Sequence, residues 1–329
     1  MSAASGPETL ILSRVDIGSL MESADWLEAV ETGFRAAAEG RAHAPPPMAL
    51  EGAGGAFHAK GASFRAGRLY VAFKLNGNFP ANPARGLPTI QGAILLCDGE
   101  TGALLAIMDS IEVTLRRTAA ASALAARFLA CPESRTILVC GCGAQGRAQL
   151  AALRAVLPLE RAFAWDRDRD LALGFANETG AQAVVDLEAA ASESDIIVTC
   201  TTARAAFLKS AFVRPGTFVA AVGADSPEKS EIEPALMARA LVVADALDQC
   251  AVMGDLHHAI AAGVMSRRAV HAELADLVTG RKRGRASDDE ITLFDSTGTA
   301  LQDVAAAASI YQRALRTPAV MTVALGAAA

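Results

Sequence analysis

The spacing of apolar and polar positions changes along the chain. Between Asp16 and Glu39, apolar side chains recur at the spacing of an amphipathic helix. The segment Ala44–Pro47 contains three consecutive prolines and cannot lie inside a helix. Beyond it the pattern predicts strands separated by Gly, Pro and Asn turns, at Leu69–Phe73, Ile90–Leu96 and Ala103–Met108. A helix rich in Ala and Leu is predicted from Ile111 to Ala130, so the first part of the chain is expected to be a separate β-rich unit.

Short, continuously apolar strands begin at Thr136. They are predicted at Thr136–Cys140, Ala162–Trp165, Ile196–Thr199, Thr217–Val222 and Leu241–Val243, with helix-like stretches between several of them. Apolar strands that alternate with helices are typical of a parallel sheet covered on both faces. The pattern predicts the α/β class, with a Rossmann-type doubly wound domain at residues 135–300. Residues 1–134 form the β-rich domain, and a predicted helix at Leu301–Ala314 assigns residues 301–329 to it as well.

Composition narrows the class of protein. A chain of 329 residues suits two domains, and 52% apolar with 20% charged residues is typical of a globular protein. The net charge of −6 gives no basic surface for nucleic acid. No apolar run approaches the ~20 residues of a membrane span, and the N-terminal sequence does not resemble a secretory signal. Cys140 and Cys142 are the one closely spaced cysteine pair, without further metal-type spacings, so we expect no metal site and a reducing, cytoplasmic location.

A glycine-rich turn follows the predicted strand Thr136–Cys140 and opens a predicted helix. It reads Gly141-Cys142-Gly143-Ala144-Gln145-Gly146. In a dinucleotide-binding turn the first glycine permits a tight bend, the second lets the backbone approach a pyrophosphate, and the third allows close packing of helix on strand. The N-terminus of the helix then presents unpaired N–H groups to the phosphates. A nicotinamide dinucleotide is predicted here, and a cofactor-free glycine turn is the alternative.

Two further residues bear on the cofactor. Asp166 ends the next predicted strand, where a carboxylate can accept a hydrogen bond from the ribose 2′-hydroxyl. This position favours NAD, while the neighbouring Arg167 keeps NADP as an alternative. Thr201 follows the strand Ile196–Thr199 at a carboxyl strand end, so it is expected either to contact the cofactor or to cap a turn.

Four ordered motifs resemble the ornithine cyclodeaminase/mu-crystallin family. They are the stretch Lys74–Ala130, the turn GCGAQG, the segment Val222–Pro227 and the segment Phe294–Gly298. The resemblance implies a homodimer, with a β-rich substrate and dimerisation domain built from both chain ends and a Rossmann domain between them. It also implies a site in which the carboxylate and C2 of a small amino or imino acid lie beside the nicotinamide.

The resemblance assigns roles to individual residues. Lys74 matches the lysine that contacts the substrate carboxylate or activates water, although a surface lysine at a strand end would look similar. Arg117 matches the arginine that holds the carboxylate, a task that suits the planar guanidinium. Thr89 matches a substrate-site position, and Thr118 matches a residue near the cofactor phosphates. Plain strand-start and helix-packing roles remain open for these two threonines.

Asp225 is the predicted acid/base. It follows the apolar run Thr217–Val222, at a carboxyl strand end where ligands of open α/β sheets bind. By the resemblance it exchanges a proton with the amine or imine nitrogen. Capping of the next helix is the alternative.

One departure from the family pattern affects the choice of substrate. Ornithine-cyclising members carry an additional basic residue in the segment that reads Ala44–Met48 here, and this chain has none there. Lys60 is the nearby residue expected to contact the substrate in its place. The first hypothesis is therefore NAD(P)H-dependent reduction of Δ1-pyrroline-2-carboxylate. Ornithine cyclodeamination with recycled NAD, dehydration of cis-3-hydroxy-L-proline and non-catalytic dinucleotide binding remain alternatives.

Overall fold

Two units make up the chain, and the first is discontinuous in sequence. The structure, a computed structural model, describes residues 8–317 and 320–325. The first unit consists of Met1–Arg117 and Thr299–Ala329, and the second of Thr118–Gly298. The predicted boundaries, after residues 134 and 300, therefore differ from this division, because the second half of one long helix belongs with the second unit. The prediction that no secretory signal is present concerns residues that lie partly outside the described range.

The first unit contains a mixed sheet and three helices ahead of the boundary. Its elements are β1 (Thr9–Leu12), α1 (Arg14–Leu20), α2 (Ser23–Ala38), β2 (Ala42–His43), β3 (Met48–Gly52), β4 (Gly55–Ala66), β5 (Arg68–Asn78), β6 (Ile90–Asp98), β7 (Leu104–Asp109) and the first part of α3 (Ser110–Leu129). The second segment adds α11 (Ala300–Ala314) and β18 (Met321–Val323). The strand order is β18-β1-β7-β6-β5-β4-β2, with β3 on β4, and among the described strand pairs of this sheet only β1–β7 is parallel.

The helical spacing predicted between Asp16 and Glu39 is confirmed, and two helices occupy this stretch. Ser13 caps α1 through its hydroxyl, and the extended Met21 ends that helix. A capping box between Glu22 and Asp25 then begins α2. Apolar spacing continues across the break, so periodicity alone did not reveal it.

Side chains of β5 alternate between the two faces of the sheet, as an antiparallel strand requires. Tyr70, Ala72 and Lys74 are buried on the face that α11 covers. Phe73 and Leu75 point the other way and are 54% and 50% exposed. The same strand therefore supplies a buried cation to the interior and an apolar surface to the outside.

The second unit is a parallel sheet with helices between its strands. Its elements are β8 (Thr136–Cys140), α4 (Ala144–Arg154), β9 (Arg161–Trp165), α5 (Arg169–Thr179), β10 (Gln182–Ala183), α6 (Leu187–Glu193), β11 (Ile196–Thr199), β12 (Arg204–Leu208), β13 (Phe218–Ala221), β14 (Ser230–Ile232), α7 (Pro234–Arg239), β15 (Leu241–Ala244), α8 (Leu247–Met253), α9 (Asp255–Ala261), β16 (Ala272–Glu273), α10 (Leu274–Val278) and β17 (Thr292–Asp295). The order is β10-β9-β8-β11-β13-β17-β15-β16, all parallel, and β12 pairs with β14 separately. The predicted doubly wound α/β class is confirmed.

The strand order reverses beside β8. The chain passes from β8 to β9 and β10 on one side, and β11 and β13 lie on the other side. Ligands of open α/β sheets bind outside the carboxyl ends of the strands at such a switch point. The glycine-rich turn follows β8 and is therefore at the position where a ligand is expected.

Candidate functional site

A buried cluster of three charges lies inside the first unit. The Nζ atom of Lys74 is 2.7 Å from Oδ2 of Asp303, and Nε of Arg117 is 3.1 Å from Oδ1 of the same carboxylate. The three side chains are 5%, 5% and 3% exposed. Nη1 of Arg117 also donates to Oε1 of Gln302 at 2.7 Å, and Lys74 donates to Oγ1 of Thr114 at 3.3 Å. Two predicted substrate residues, Lys74 and Arg117, are therefore brought together on one anion.

Three elements position these charges. Lys74 lies on the buried face of β5, Arg117 lies in α3, and Asp303 lies in the first turn of α11. The side chain of Asp109 accepts from the backbone N–H groups of Ile111 and Glu112, which fixes the start of α3. The site is thus built from segments far apart in sequence.

Burial sets the protonation of the cluster. It lowers the pKa of Lys74 to about 7, the charges of Arg117 and Lys60 act in the same direction, and Asp303 opposes them. Burial alone would raise the pKa of Asp303, but the charges of Lys74 and Arg117 hold it below its usual value. When Lys74 and Arg117 are both charged, Asp303 neutralises only one of them, and the cluster has a net positive charge. A carboxylate ligand would balance it.

Lys60 lies next to this cluster. It stands directly opposite Lys74 in the antiparallel register of β4 and β5, and its charge acts on both Lys74 and Asp303. Like charges at opposed positions destabilise a strand pair, so this arrangement also favours binding of an anion. The predicted substrate role of Lys60 remains a prediction with this support.

Thr89 is not hydrogen-bonded to this cluster among the described residues. It lies just before β6, half-buried, and its carbonyl oxygen accepts from the backbone N–H of Phe79. Within residues 8–317 and 320–325, Thr89 makes no hydrogen bond with Lys74, Arg117 or Asp303. Its predicted substrate contact stays a prediction.

Sequence reasoning missed Asp303 and Gln302. Both are buried in α11, which otherwise presents mainly Ala and other apolar side chains to the interior. Polar residues are seldom buried without partners, so an Asp and a Gln within an Ala-rich apolar helix were a usable signal. The Nε2 atom of Gln302 has no hydrogen-bond partner among the described residues, which leaves one donor at the cluster for a ligand.

The glycine turn of the second unit has the geometry of a dinucleotide cradle. Gly141 has φ +108°, and a Cβ there would lie 2.8 Å from the carbonyl oxygen of Cys200. A Cβ on Gly146 would lie 2.1 Å from the carbonyl oxygen of Gly141. A Cβ on Gly143 would meet no atom within 4 Å. The first and third glycines are therefore required by the fold itself, whereas the second leaves open space at the turn.

The start of α4 offers donors to an anion. Gly143 is the N-cap of this helix, and no side chain caps its first turn. The buried Nε2 atom of Gln145 has no hydrogen-bond partner among the described residues. These features fit a pyrophosphate: there is open space at Gly143, the first N–H groups of the helix are uncapped, and the amide of Gln145 is unpaired. Ala144, the next residue, has only a methyl side chain.

Asp166 helps to shape the turn. Its Oδ2 accepts from the backbone N–H of Cys142 at 2.8 Å, and its Oδ1 accepts from that of Asp168 at 3.0 Å. A carboxylate has about four lone-pair sites, so these two bonds leave acceptors for a ribose hydroxyl. The ribose contact remains a prediction.

Asp225 and Thr201 have partners within the second unit. Oδ1 of Asp225 is 2.6 Å from Nζ of Lys229, and the Asp225 side chain is 56% exposed. The backbone N–H and the hydroxyl of Thr201 both donate to the buried Glu231 at 2.6 Å. Thr118, the first residue of this unit, is buried in α3. The acid/base role of Asp225 and the cofactor contacts of the two threonines are not decided by these contacts.

The described part of the chain contains neither a candidate metal site nor a candidate membrane-spanning helix. No group of three or more His, Cys, Asp or Glu residues there is arranged to hold a metal ion. No helix of these residues has the length and apolar character needed to cross a membrane.

Comparison with known proteins gives the family. The model of the ornithine cyclodeaminase/mu-crystallin family matches residues 7–318. The chain belongs to this family. Alanine dehydrogenase of Archaeoglobus fulgidus is 38% identical over 311 residues, which cover 94% of this chain and 96% of that protein. The resemblance drawn from the four motifs is thereby confirmed.

Two solved structures of the family are similar over almost their whole length. An archaeal alanine dehydrogenase dimer with bound NAD has a TM-score of 0.91 at 37% identity, covering 96% of this chain and 99% of its own. The Δ1-pyrroline-2-carboxylate reductase of Thermococcus litoralis, in complex with NADH and L-proline, also has a TM-score of 0.91, at 31% identity, covering 96% and 100%. Both belong to the nicotinamide-dependent enzymes of the family.

Proposed function

We propose that this protein is an NAD(H)-dependent reductase that acts at C2 of a small imino acid, with Δ1-pyrroline-2-carboxylate as the first substrate to test. The observation that carries the proposal is the buried pair of cations, Lys74 and Arg117, held on Asp303. Pure dinucleotide binding needs only the glycine turn of the second unit. It does not account for two buried cations with one counter-ion in the first unit.

Arg117 and Lys74 would bind the substrate carboxylate. The guanidinium presents several donors in one plane and suits the two oxygens of a carboxylate. Asp303 keeps both cations in place, so little rearrangement is needed when the substrate binds. Fixing the carboxylate at one end of a small molecule also fixes the orientation of its C2 atom.

The second unit would bind the cofactor through Gly141–Gly146, with Asp166 favouring NAD over NADP. When bound, NADH supplies a hydride to the carbon of the C=N bond. The nitrogen must gain a proton in the same reaction, and Asp225 is our proposed donor. Lys74 is the competing donor, because a pKa of about 7 makes its ammonium group acidic enough for this task.

A homodimer is part of the proposal. The outer face of the first unit's sheet exposes large apolar side chains on neighbouring strands, which include Met48, Leu50, Phe57, Phe73, Leu75 and Leu95. Contiguous apolar patches of this kind mark interaction surfaces. The archaeal alanine dehydrogenase that resembles this chain is a dimer. We also propose a cytoplasmic location, in keeping with cysteines that are all free thiols among the described residues.

A second candidate is oxidation and reduction of an open-chain amino acid such as alanine. The 38% identity to the alanine dehydrogenase of Archaeoglobus fulgidus over 94% of this chain favours it. The same residues would bind the same carboxylate, so the two candidates differ in whether the imine is cyclic.

Turnover assays separate the candidates. Purified protein is incubated with NADH or NADPH and either Δ1-pyrroline-2-carboxylate or pyruvate plus ammonia, and absorbance at the nicotinamide band is followed. Parallel samples receive L-ornithine or cis-3-hydroxy-L-proline with NAD. Faster NADH consumption with the pyrroline supports the first proposal, and faster consumption with pyruvate plus ammonia supports the second.

Other outcomes contradict both reductase proposals. Ammonia release from ornithine without net change in cofactor identifies a cyclodeaminase, and loss of water from hydroxyproline identifies a dehydratase. Binding of NADH without any turnover identifies a binding protein. For the proton donor, Asp225→Asn is expected to abolish turnover and leave NADH binding intact, with Glu228→Gln as the exposed control. Activity that survives in Asp225→Asn transfers the role to Lys74.

A further inference from the structure

A buried carboxylate joins two loops of the second unit. Glu231 lies on β14 and is fully buried. Its Oε1 accepts from the backbone N–H and the hydroxyl of Thr201, both at 2.6 Å, and its Oε2 accepts from the backbone N–H of Gly223 at 2.9 Å. One side chain thus holds the loop after β11 and the loop after β13 together.

The absence of a side chain at Gly223 leaves room for this carboxylate. A Cβ on Gly223 would lie 2.5 Å from the carboxyl carbon and from both carboxyl oxygens of Glu231. Any side chain at this position would therefore have to displace the carboxylate from its present place. Each carboxylate oxygen faces a backbone N–H, which can only donate, so a carboxylate satisfies both groups and a neutral amide satisfies only one.

The two loops lie next to the glycine turn. β11 pairs with β8 on one side and with β13 on the other, so the carboxyl ends of the three strands are adjacent. The carbonyl oxygen of Cys200 approaches Gly141 so closely that a Cβ on this glycine would lie 2.8 Å from it. Thr201 and Asp225, two predicted site residues, lie on the loops that Glu231 connects.

We propose that Glu231 is a positioning residue for the dinucleotide, which it serves by fixing the loops of Thr201 and Gly223 at the carboxyl edge of the sheet. The inference rests on the proposed binding of NAD(H) to this edge. Glu231 itself would not touch the cofactor. It would act through the backbone of the two loops, so that the dinucleotide binds to loops that are already ordered.

The surroundings of Glu231 make this contact sensitive to pH. Burial, followed by the charge of Asp255, raises the pKa of Glu231 to about 7, while the hydrogen bonds from Thr201 oppose the shift. Asp255 accepts from the backbone N–H of Glu231, and burial raises its own pKa to about 6. The thiols of Cys140 and Cys200 also face this carboxylate, and burial raises the pKa of each well above 9.0, so they stay neutral.

The direction of the effect follows from the three donors. Above pH 7 the carboxylate accepts from both loops. Below pH 7 one oxygen of Glu231 carries a proton, and this O–H faces a donor of Thr201 or Gly223 where the carboxylate had accepted a hydrogen bond. The hydrogen bond to that loop is then weakened or lost. NADH affinity is therefore expected to weaken as pH falls below about 7, by at most about tenfold per pH unit for one proton.

The experiment measures the dissociation constant of NADH by fluorescence from pH 5.5 to 8.5. It compares the unsubstituted protein with Glu231→Gln and with a matched control, Glu233→Gln. Glu233 also accepts a backbone N–H, from Ser210 at 2.7 Å, and among the described residues its side chain makes no hydrogen bond with either loop. Glu231→Gln is expected to bind NADH about tenfold more weakly at pH 8 and to lose the pH dependence, since one loop donor faces the amide group. Glu233→Gln is expected to retain both the affinity and the pH profile.

Two results would overturn the inference while leaving the proposed function in place. One is a Glu231→Gln variant with the affinity and pH profile of the unsubstituted protein. The other is an equal loss in both variants. Absence of NADH binding by the unsubstituted protein at every pH would instead refute the proposed function, and the inference with it.

A second measurement needs no variant and applies if Glu231→Gln fails to fold. Hydrogen exchange of the Thr201 and Gly223 amides is followed in the unsubstituted protein at pH 8 and pH 6, corrected for intrinsic rates. We expect strong protection at pH 8 and several-fold weaker protection at pH 6. Protection that is absent at pH 8, or that is unchanged at pH 6, overturns the role of the carboxylate.

Discussion

Replacing Asp303 by asparagine removes the anion that faces both Lys74 and Arg117. The three side chains are 5% exposed or less, so solvent cannot screen the positive charge that remains on Arg117. Removing one partner of a buried ion pair costs about 3–5 kcal/mol, because it leaves an uncompensated buried charge. For a unit of this size, 1 kcal/mol corresponds to about 2–4 °C in the melting temperature, so a decrease of roughly 6–20 °C is expected.

Differential scanning calorimetry at pH 7 measures this effect. The control is Glu31→Gln, which removes a partly exposed ion pair with Arg35 at 3.0 Å within one helix and is expected to change stability by less than about 0.5 kcal/mol. Asp303 raises the pKa of Lys74, so its removal lowers that pKa further below about 7 and leaves the lysine neutral at pH 7. Binding of L-proline should therefore weaken in Asp303→Asn. A melting temperature within 2 °C of that of the control variant would refute the reasoning that the triad is a buried, mutually dependent cluster.

Three further outcomes are expected. Gly143→Ala should fold normally, since its Cβ meets no atom within 4 Å, but it should lose most of its NADH affinity. Gly146→Ala should lower the melting temperature, because its Cβ would lie 2.1 Å from a backbone oxygen. Calorimetry and NADH titration together check this contrast, and equal behaviour of the two variants contradicts it. Burial lowers the pKa of Lys74 to about 7, so the cationic form of this lysine is lost as pH rises through that value. The dissociation constant of L-proline should therefore increase from pH 7 to pH 9, by up to about tenfold per pH unit. A flat pH profile in isothermal titration calorimetry would count against a carboxylate contact by Lys74. Phe73→Glu should convert the proposed dimer into monomers without unfolding, as measured by sedimentation, with Leu173→Glu, another exposed apolar position, as the control.

The parallel sheet could be predicted because its strands are buried on both faces. Thr136–Cys140 and Ile196–Thr199 are continuous apolar runs and occur as strands with the predicted bounds. The boundary after residue 134 was predicted from a change in strand pattern, whereas the two units divide between Arg117 and Thr118, inside α3. A helix that serves two units has one continuous sequence pattern, so no local signal marks the point where its neighbours change.

The candidate site was predictable in part. Lys74 and Arg117 came from the family motif, and their meeting in one cluster supports the roles assigned to them. Asp303 and Glu231 were missed because their importance lies in contacts with residues distant in sequence, such as the pairs Lys74–Asp303 and Thr201–Glu231. Spacing in one sequence carries no information on such pairs.

The discontinuity of the first unit has a consequence for its synthesis. Asp303 emerges from the ribosome only after the whole segment Thr118–Gly298 has been made. Until then Lys74 and Arg117 have no anion to meet, and α11, which covers the inner face of β5, does not exist. The central unit, continuous in sequence, can therefore complete its folding first, while the unit that begins the chain is the last to finish. Nascent chains that stop at Gly298 should expose this unfinished sheet to chaperones, although they already contain every residue of the cofactor-binding unit.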